Sequence, residues 1–346
     1  MRPDDGLGFL LKYENVAWYE PGGVKIIDRR SYPFRIESVV CRTPETVARA
    51  IRDMVTQSGG PWIAARMGMV LAAEKVRGLP RTAAIREIEN AAYILSHARP
   101  TTSEGMVRYV NEVKAVCVEA LTRGDDPVPA ALTLVRLGLD RLYESSRRMA
   151  TYFVDLLSEA PTIMTQCFAE TLIGFILLVA KERGKKISLY CPETRPYFQG
   201  ARLTASVAVE IGIPVTVITD NMPAYVLSRG GVEAVIAAAD VITMDGHVVN
   251  KIGTLQIALA ARHFNIPFYV IGSPNPANPT VDTVNIEERD PEEALHAMGV
   301  RTAPEGVKGY YPAFDITPPK LITGIVTQFG ILSADGLTES PSPKKG

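Results

Sequence analysis

A chain of 346 residues, 47% hydrophobic and 22% charged, can bury at least one large core and is expected to form two domains, which excludes disorder as the default state. Its 37 lysines and arginines nearly cancel 38 aspartates and glutamates, for a formal net charge of −1, so no broad positive field marks it for nucleic acid or an anionic membrane. A small-molecule site, which needs only a few local charges, stays open.

The N-terminus MRPDDGLGFLLKYENVAWYE is acidic where a secretory signal is basic, and no export is implied. Its GLGFLL run lacks the preceding strand and the final glycine of a dinucleotide fingerprint. Residues 14–40 alternate short β-like runs around a Pro-Gly-Gly turn and read as a small antiparallel unit. TPETVARAIRDMV then opens a capped helix at Thr43, and helices dominate to about residue 157, interrupted by the polar, turn-rich QSGGP, HARPTTSEG and RGDDPVPA. From 158 onward the short apolar strands TIMTQC, ISLYC, PVTVIT, AVIAAAD and PFYVIG alternate with helices, the rhythm of a doubly wound parallel sheet. The most apolar segment, LIGFILLVA at 172–180, is far shorter than the roughly 20 residues that span a bilayer and reads as a buried helix. The polar, Pro- and Ser-rich tail is expected to be loosely held. The expected class is α/β: a mainly helical N-terminal domain with a small antiparallel sheet (1–157), a Rossmann-like doubly wound parallel-sheet domain (158–332) and a flexible tail (333–346).

Cys41, Cys117, Cys167 and Cys191 are widely spaced with no CxxC pair, and the four histidines are isolated from one another. This argues against a disulfide framework and against a metal site, and it suits a reducing cytoplasm. In doubly wound sheets ligands sit outside the carboxyl ends of the strands, and the chemically interesting residues fall there. Cys167 stands where a strand ends and a helix is due. A helix start favours thiolate and is expected to lower the thiol pKa toward neutrality, although a free cysteine equally reads as a small buried hydrophobe. Asp240 closes AVIAAAD, where low-dielectric walls would raise its pKa and suit it to acid work; it reads equally as a strand-end cap. Asn250, Lys251, Gly253 and Thr254 precede an apolar helix, so an amide, a cation, a glycine and helix N–H groups together make a candidate phosphate cradle, with a solvated lysine as the plainer reading. Glu193, Arg195, Gln199, Gly200 and Arg202 form a third turn suited to an anion, with one of the two arginines equally read as a structural partner of Glu193, and Arg99 in HARPTT is a further candidate phosphate ligand from the helical region.

The runs VVCRTPETVARAIRDMV (39–55), PETRPYFQGARLTA (192–205), AAD with GHVVNKIGT (238–254), IEERDP (286–291) and RTAPEGVKGYYPAFDITPPKLITGIVT (301–327) resemble the methylthioribose-1-phosphate isomerase family. That family is related to the regulatory subunits of the translation initiation factor eIF2B and to archaeal ribose-1,5-bisphosphate isomerases, and the resemblance covers nearly the whole chain. It implies a homodimer without metal or organic cofactor, with Cys167 and Asp240 catalytic and with phosphate and sugar contacts on Arg99, Gln199, Asn250 and Lys251. The family's early phosphate loop, Arg-Gly-Ala-Pro, falls on Ser58-Gly59-Gly60-Pro61, so Gly59 is kept, Gly60 stands for the alanine, and one phosphate-binding arginine is missing unless Arg66 substitutes from the next turn. Around the cysteine the family's Thr-His-Cys-Asn-Ala-Gly becomes Thr165-Gln166-Cys167-Phe168-Ala169-Glu170, and Val241 stands where an arginine often follows the aspartate. The implied activity is the aldose–ketose isomerisation of 5-methylthioribose 1-phosphate. The alternatives are 5-deoxyribose 1-phosphate or ribose 1,5-bisphosphate as substrate, or a noncatalytic sugar-phosphate or nucleotide sensor.

Overall fold

The structure, a computed structural model, describes residues 2–98 and 103–339. It divides after Glu144 into two compact units.

In the first unit a one-turn helix, α1 (Tyr13–Val16), leads into β1 (Ala17–Glu20), β2 (Gly23–Ile27) and β3 (Ser38–Cys41), an antiparallel sheet in that order. The Pro-Gly-Gly turn joins β1 to β2: Gly22 adopts a φ of 89°, open chiefly to glycine, and its N–H lies 2.9 Å from the Glu74 carboxylate. Helix α2 (Pro44–Arg52) begins as its sequence predicts, with Thr43 and Thr46 exchanging side-chain-to-backbone bonds in a capping box. Helix α3 (Gly60–Lys75) is buried along most of its length and packs on α4 (Arg81–Ser96), where a Cβ at Gly68 would come within 2.9 Å of a Leu95 methyl. Helices α5 (Ser103–Arg123) and α6 (Pro127–Val154) follow, and the division between units falls inside α6.

The second unit runs β4 (Thr162–Thr165), α7 (Thr171–Glu182), β5 (Ser188–Pro192), a π-helical turn (Gly200–Thr204), α8 (Ala205–Ile211), β6 (Val215–Ile218), α9 (Pro223–Ser228) and β7 (Ala234–Ala238). It continues through β8 (Val241–Ile242), β9 (Val248–Lys251), α10 (Thr254–His263), β10 (Phe268–Ile271), α11 (Glu292–Leu295), β11 (His296–Ala297), β12 (Val300–Arg301), β13 (Phe314–Thr317), β14 (Gly324–Thr327) and β15 (Gly330–Leu332). Seven strands form the main sheet in the order β15-β14-β10-β7-β4-β5-β6, parallel except for the β14–β15 edge pair. Without that edge strand the order is the Rossmann arrangement, and the winding reverses between β4 and β7. Strands β13, β9 and β8 form a separate antiparallel sheet.

Met164, Val235, Ala237, Phe268, Val270 and Ile325 on the main sheet pack against Ile257, Ala258 and Ala261 of α10. The sequence places residues 333–346 in a loosely held tail; Ala334–Glu339 forms a 3-10 turn that buries Ala334 and Leu337 in this core, and residues 340–346 lie outside the described residues. Among the described residues no helix is long and apolar enough to cross a membrane.

Candidate active site

The point where winding reverses is where open α/β sheets hold their ligands. Here it lies between β4 and β7, hydrogen-bonded neighbours with Thr165 opposite Ile236. Cys167 follows the end of β4 by two residues and Asp240 follows the end of β7 by two, so strand pairing brings together groups far apart in the chain. The Asp240 N–H donates to the Val249 carbonyl at 2.9 Å, directly before Asn250 and Lys251 on β9. Electrostatics agree, because the Cys167 thiol feels the charges of Lys251, Asp240 and Asp220.

Cys167 itself is 8% exposed and takes a left-handed φ of 60°. That conformation ends β4 before the strand reaches the cysteine, two residues short of the expected TIMTQC run. Glu170, at a φ of 49°, is strained in the same loop, and Thr194 and Phe198, at 65° and 55°, are strained in the loop after β5. Non-glycine residues hold such angles only when their surroundings over-determine them. One restraint is plain: the Thr204 hydroxyl donates to the Cys167 carbonyl at 2.5 Å.

The expectation that a helix start lowers the thiol pKa is corrected. Burial pushes the Cys167 thiol up to about 12; Lys251 and the Phe168 N–H pull it down, while Asp240 and Asp220 push it further up. The helix α7 begins only at Thr171, and a helix dipole acts within about one turn, so desolvation wins. At neutral pH the sulfur keeps its proton.

Lys251 is 5% exposed, a costly place for an ammonium. Its Nζ donates to Tyr311 Oη at 3.3 Å and lies 5.0 Å from the Phe314 ring centre, 5.7 Å from that of Tyr311 and 5.9 Å from that of Tyr197. The cage offsets part of the lost hydration through the ring quadrupoles. Burial raises the Tyr311 pKa, so its hydroxyl stays neutral. Asn250 donates through Nδ2 to Thr254 Oγ1 at 3.0 Å, and that hydroxyl donates to the Lys251 carbonyl at 2.7 Å.

The phosphate cradle is corrected in one part. Asp315, paired with Asn250 across β13 and β9, accepts the Gly253 N–H at 2.7 Å and the Leu255 N–H at 3.1 Å. The α10 start is therefore capped by a carboxylate, so of the expected cradle only the Asn250 and Lys251 side chains stay as candidates. Burial pushes Asp315 up to about 6 even though the backbone bonds pull it down.

The turn after β5 is built from backbone bonds. Asp220 accepts the Thr194 and Arg195 N–H groups at 2.8 and 2.7 Å. Arg195 donates to the Ala294 and His296 carbonyls at 3.1 and 2.8 Å, and Arg202 donates to the Tyr197 carbonyl at 3.0 and 2.5 Å. Both guanidiniums, read from sequence as anion ligands, thus brace the loop. Gln199 is 4% exposed and its Oε1 has no hydrogen-bond partner. Gly200 must be glycine, since a Cβ there would lie 1.8 Å from the Pro192 carbonyl oxygen.

Gly59, Gly60 and Arg66 belong to the first unit. Gly59 precedes α3 and Gly60 opens it, where a Cβ would lie 1.9 Å from Thr56 Oγ1. Arg66 stacks on Tyr109, 3.9 Å from the ring centre, and pairs with Glu112 at 3.8 Å. Arg99 lies outside the described residues.

Two residues of the site escaped the sequence reading, Tyr311 and Asp315, and Gln166 entered it only as a departure from the family's histidine. Gln166 adjoins the cysteine and could have been weighed as its neighbour. Tyr311 and Asp315 reach β9 from about 60 residues downstream, through a pairing that no local pattern encodes.

The fold and site define a Rossmann-ordered α/β protein with a thiol, a carboxylate and a caged lysine at its switch point. Residues 57–334 match the Initiation factor 2 subunit family, and the chain belongs to it. It is 36% identical over 337 residues to the methylthioribose-1-phosphate isomerase of Desulforamulus reducens, covering 92% of this chain and 95% of that protein. The Thermotoga maritima protein of the same name is 36% identical over 334 residues, covering 93% and 95%. Among solved structures, 5-methylthioribose 1-phosphate isomerase from Pyrococcus horikoshii OT3 matches with a TM-score of 0.80 and 31% identity over 95% of this chain and 97% of that one. Translation initiation factor eIF-2B subunit delta from A. fulgidus matches with a TM-score of 0.78 and 32% identity over 92% and 95%.

Proposed function

We propose that the chain is an aldose–ketose isomerase that converts 5-methylthioribose 1-phosphate to 5-methylthioribulose 1-phosphate. The observation that carries this reading is the pairing of Cys167 and Asp240 at the ends of adjacent strands, in the field of the caged Lys251. A noncatalytic sensor has no use for such a pair. The buried Phe168 and Ala169, which follow Cys167 in the chain, suit a substrate with an apolar group at C5.

The substrate's anomeric oxygen is esterified, so its ring cannot open by hemiacetal reversal; the ring oxygen must be protonated as its bond to C1 breaks. Passage of the thiol proton to Asp240 creates the acid and the base together, with the ammonium of Lys251 offsetting the new negative charge on sulfur. Asp240 protonates the ring oxygen. The thiolate then takes the C2 proton and returns it to C1, while Asp240 accepts the C2 hydroxyl proton as the ketone forms. C2 is oxidised and C1 reduced by the same electron pair, and passage of the proton from Asp240 back to the sulfur restores the resting thiol and carboxylate. Exchange of the thiol proton with solvent before its return is expected to place some deuterium at C1 during turnover in deuterium oxide, and its complete absence would count against this route and for a hydride shift.

The direct test is purified protein assayed against 5-methylthioribose 1-phosphate, 5-deoxyribose 1-phosphate and ribose 1,5-bisphosphate. The first is expected to show the highest kcat/KM, and no turnover of any of the three would sink the reading. The family resemblance supports a homodimer, checked by light scattering as twice the mass of one chain. Four free, buried cysteines suit the reducing cytoplasm. Arg99, Gly59, Gly60 and Arg66 stay in the proposal as phosphate ligands on resemblance, and Gln199, Asn250 and Lys251 on resemblance and on their burial in the second unit.

A further inference from the structure

Gln166 is 3% exposed and sits beside the sulfur-bearing residue. Its Nε2 donates to the Ile252 carbonyl at 3.1 Å, in the loop that follows Lys251. Gly253, at a φ of 101°, makes room for this contact, because a Cβ there would lie 2.9 Å from Nε2. The bond also settles which end of the amide is which: turned over, it would set two acceptors, Oε1 and the Ile252 oxygen, against each other. The remaining end, Oε1, is buried and has no hydrogen-bond partner. A bare acceptor in a dry site costs free energy, and one kept on the residue next to Cys167 points to a ligand that brings the missing donor.

The chemistry of the ligand narrows what that donor is. A phosphate at neutral pH offers mainly acceptors and would be repelled by an amide oxygen, and a thioether has no proton to give. Only the sugar hydroxyls donate. Resting on the isomerase reading, we propose that Gln166 Oε1 accepts a hydrogen bond from the ribose hydroxyl at C2 or C3. Gln166 is thereby a specificity-determining residue that positions the sugar ring over Cys167, while Lys251 and Asn250 serve the phosphate.

The test is calorimetric binding of 5-methylthioribose 1-phosphate and of its 2-deoxy and 3-deoxy analogues to protein carrying Cys167→Ser, with and without Gln166→Met. The methionine fills a similar volume but cannot accept the bond. It is expected to weaken binding of the full substrate about 10-fold and to leave one deoxy analogue nearly unaffected, because that analogue already lacks the partner. An equal loss on all three ligands, or no loss on any, overturns the proposal. If Gln166→Met fails to fold, the protein carrying Cys167→Ser alone is expected to bind one deoxy analogue about 10-fold more weakly than the full substrate, and equal binding of all three ligands overturns the proposal equally. Wild-type protein that binds hydroxyl-selectively but turns nothing over refutes the isomerase reading and leaves the role of Gln166 standing.

Discussion

Cys167 combines a strained backbone with a sulfur removed from water, and the second property decides its chemistry. At a pKa of about 12 the thiol is a proton store in the resting protein, so the proposed reaction begins with movement of that proton rather than attack by a standing thiolate. Asp240 is the group that two-residue overhangs from neighbouring strands bring to it. Replacing Cys167 by serine or Asp240 by asparagine is expected to lower kcat at least about 10²-fold, the usual scale for acid–base groups, with the thermal unfolding midpoint retained. Steady-state kinetics beside a melting curve checks this, and near-normal turnover in either variant would remove that residue from the reaction. Both positions were legible in the sequence because each closes an apolar run. The direction of the thiol shift was not, since it depends on how deeply folding buries the sulfur.

At the scale of elements, the junction of β9 with α10 depends on Asp315 reaching across from β13. The carboxylate caps the helix start while burial holds its pKa at about 6, above the unfolded value of about 3.9. A raised folded pKa means that the folded state holds the proton more tightly. Stability from this group is therefore fully present below about pH 4 and is lost as pH rises through about 6. Between pH 7 and pH 5 the wild-type protein is expected to gain about 1 kcal/mol relative to Asp315→Asn, measured as the difference between their denaturant unfolding free energies. A difference that stays flat, or shrinks toward pH 5, would contradict the linkage. The sequence marked the Asn250–Thr254 segment as an anion cradle and missed its built-in anion, because period and capping rules look only a few residues along the chain.

For the molecule as a whole, the alternation of strands and helices foretold the parallel sheet, and the apolar runs located every strand from β4 to β10 that belongs to it. The reversal between β4 and β7 could not be read locally, since strand order is decided by which apolar faces find each other in the folded core. The tail shows the same limit: composition marks it as polar, yet Ala334 and Leu337 are drawn into the core.

The protonated sulfur has a last consequence, for durability under oxidative stress. Peroxides react with thiolate, and at pH 7 a thiol with a pKa of about 12 presents only about 10⁻⁵ of itself in that form. Incubation of the ligand-free protein with hydrogen peroxide is expected to erode activity far more slowly than the same peroxide consumes free cysteine, and matching rates would show that the sulfur is not shielded.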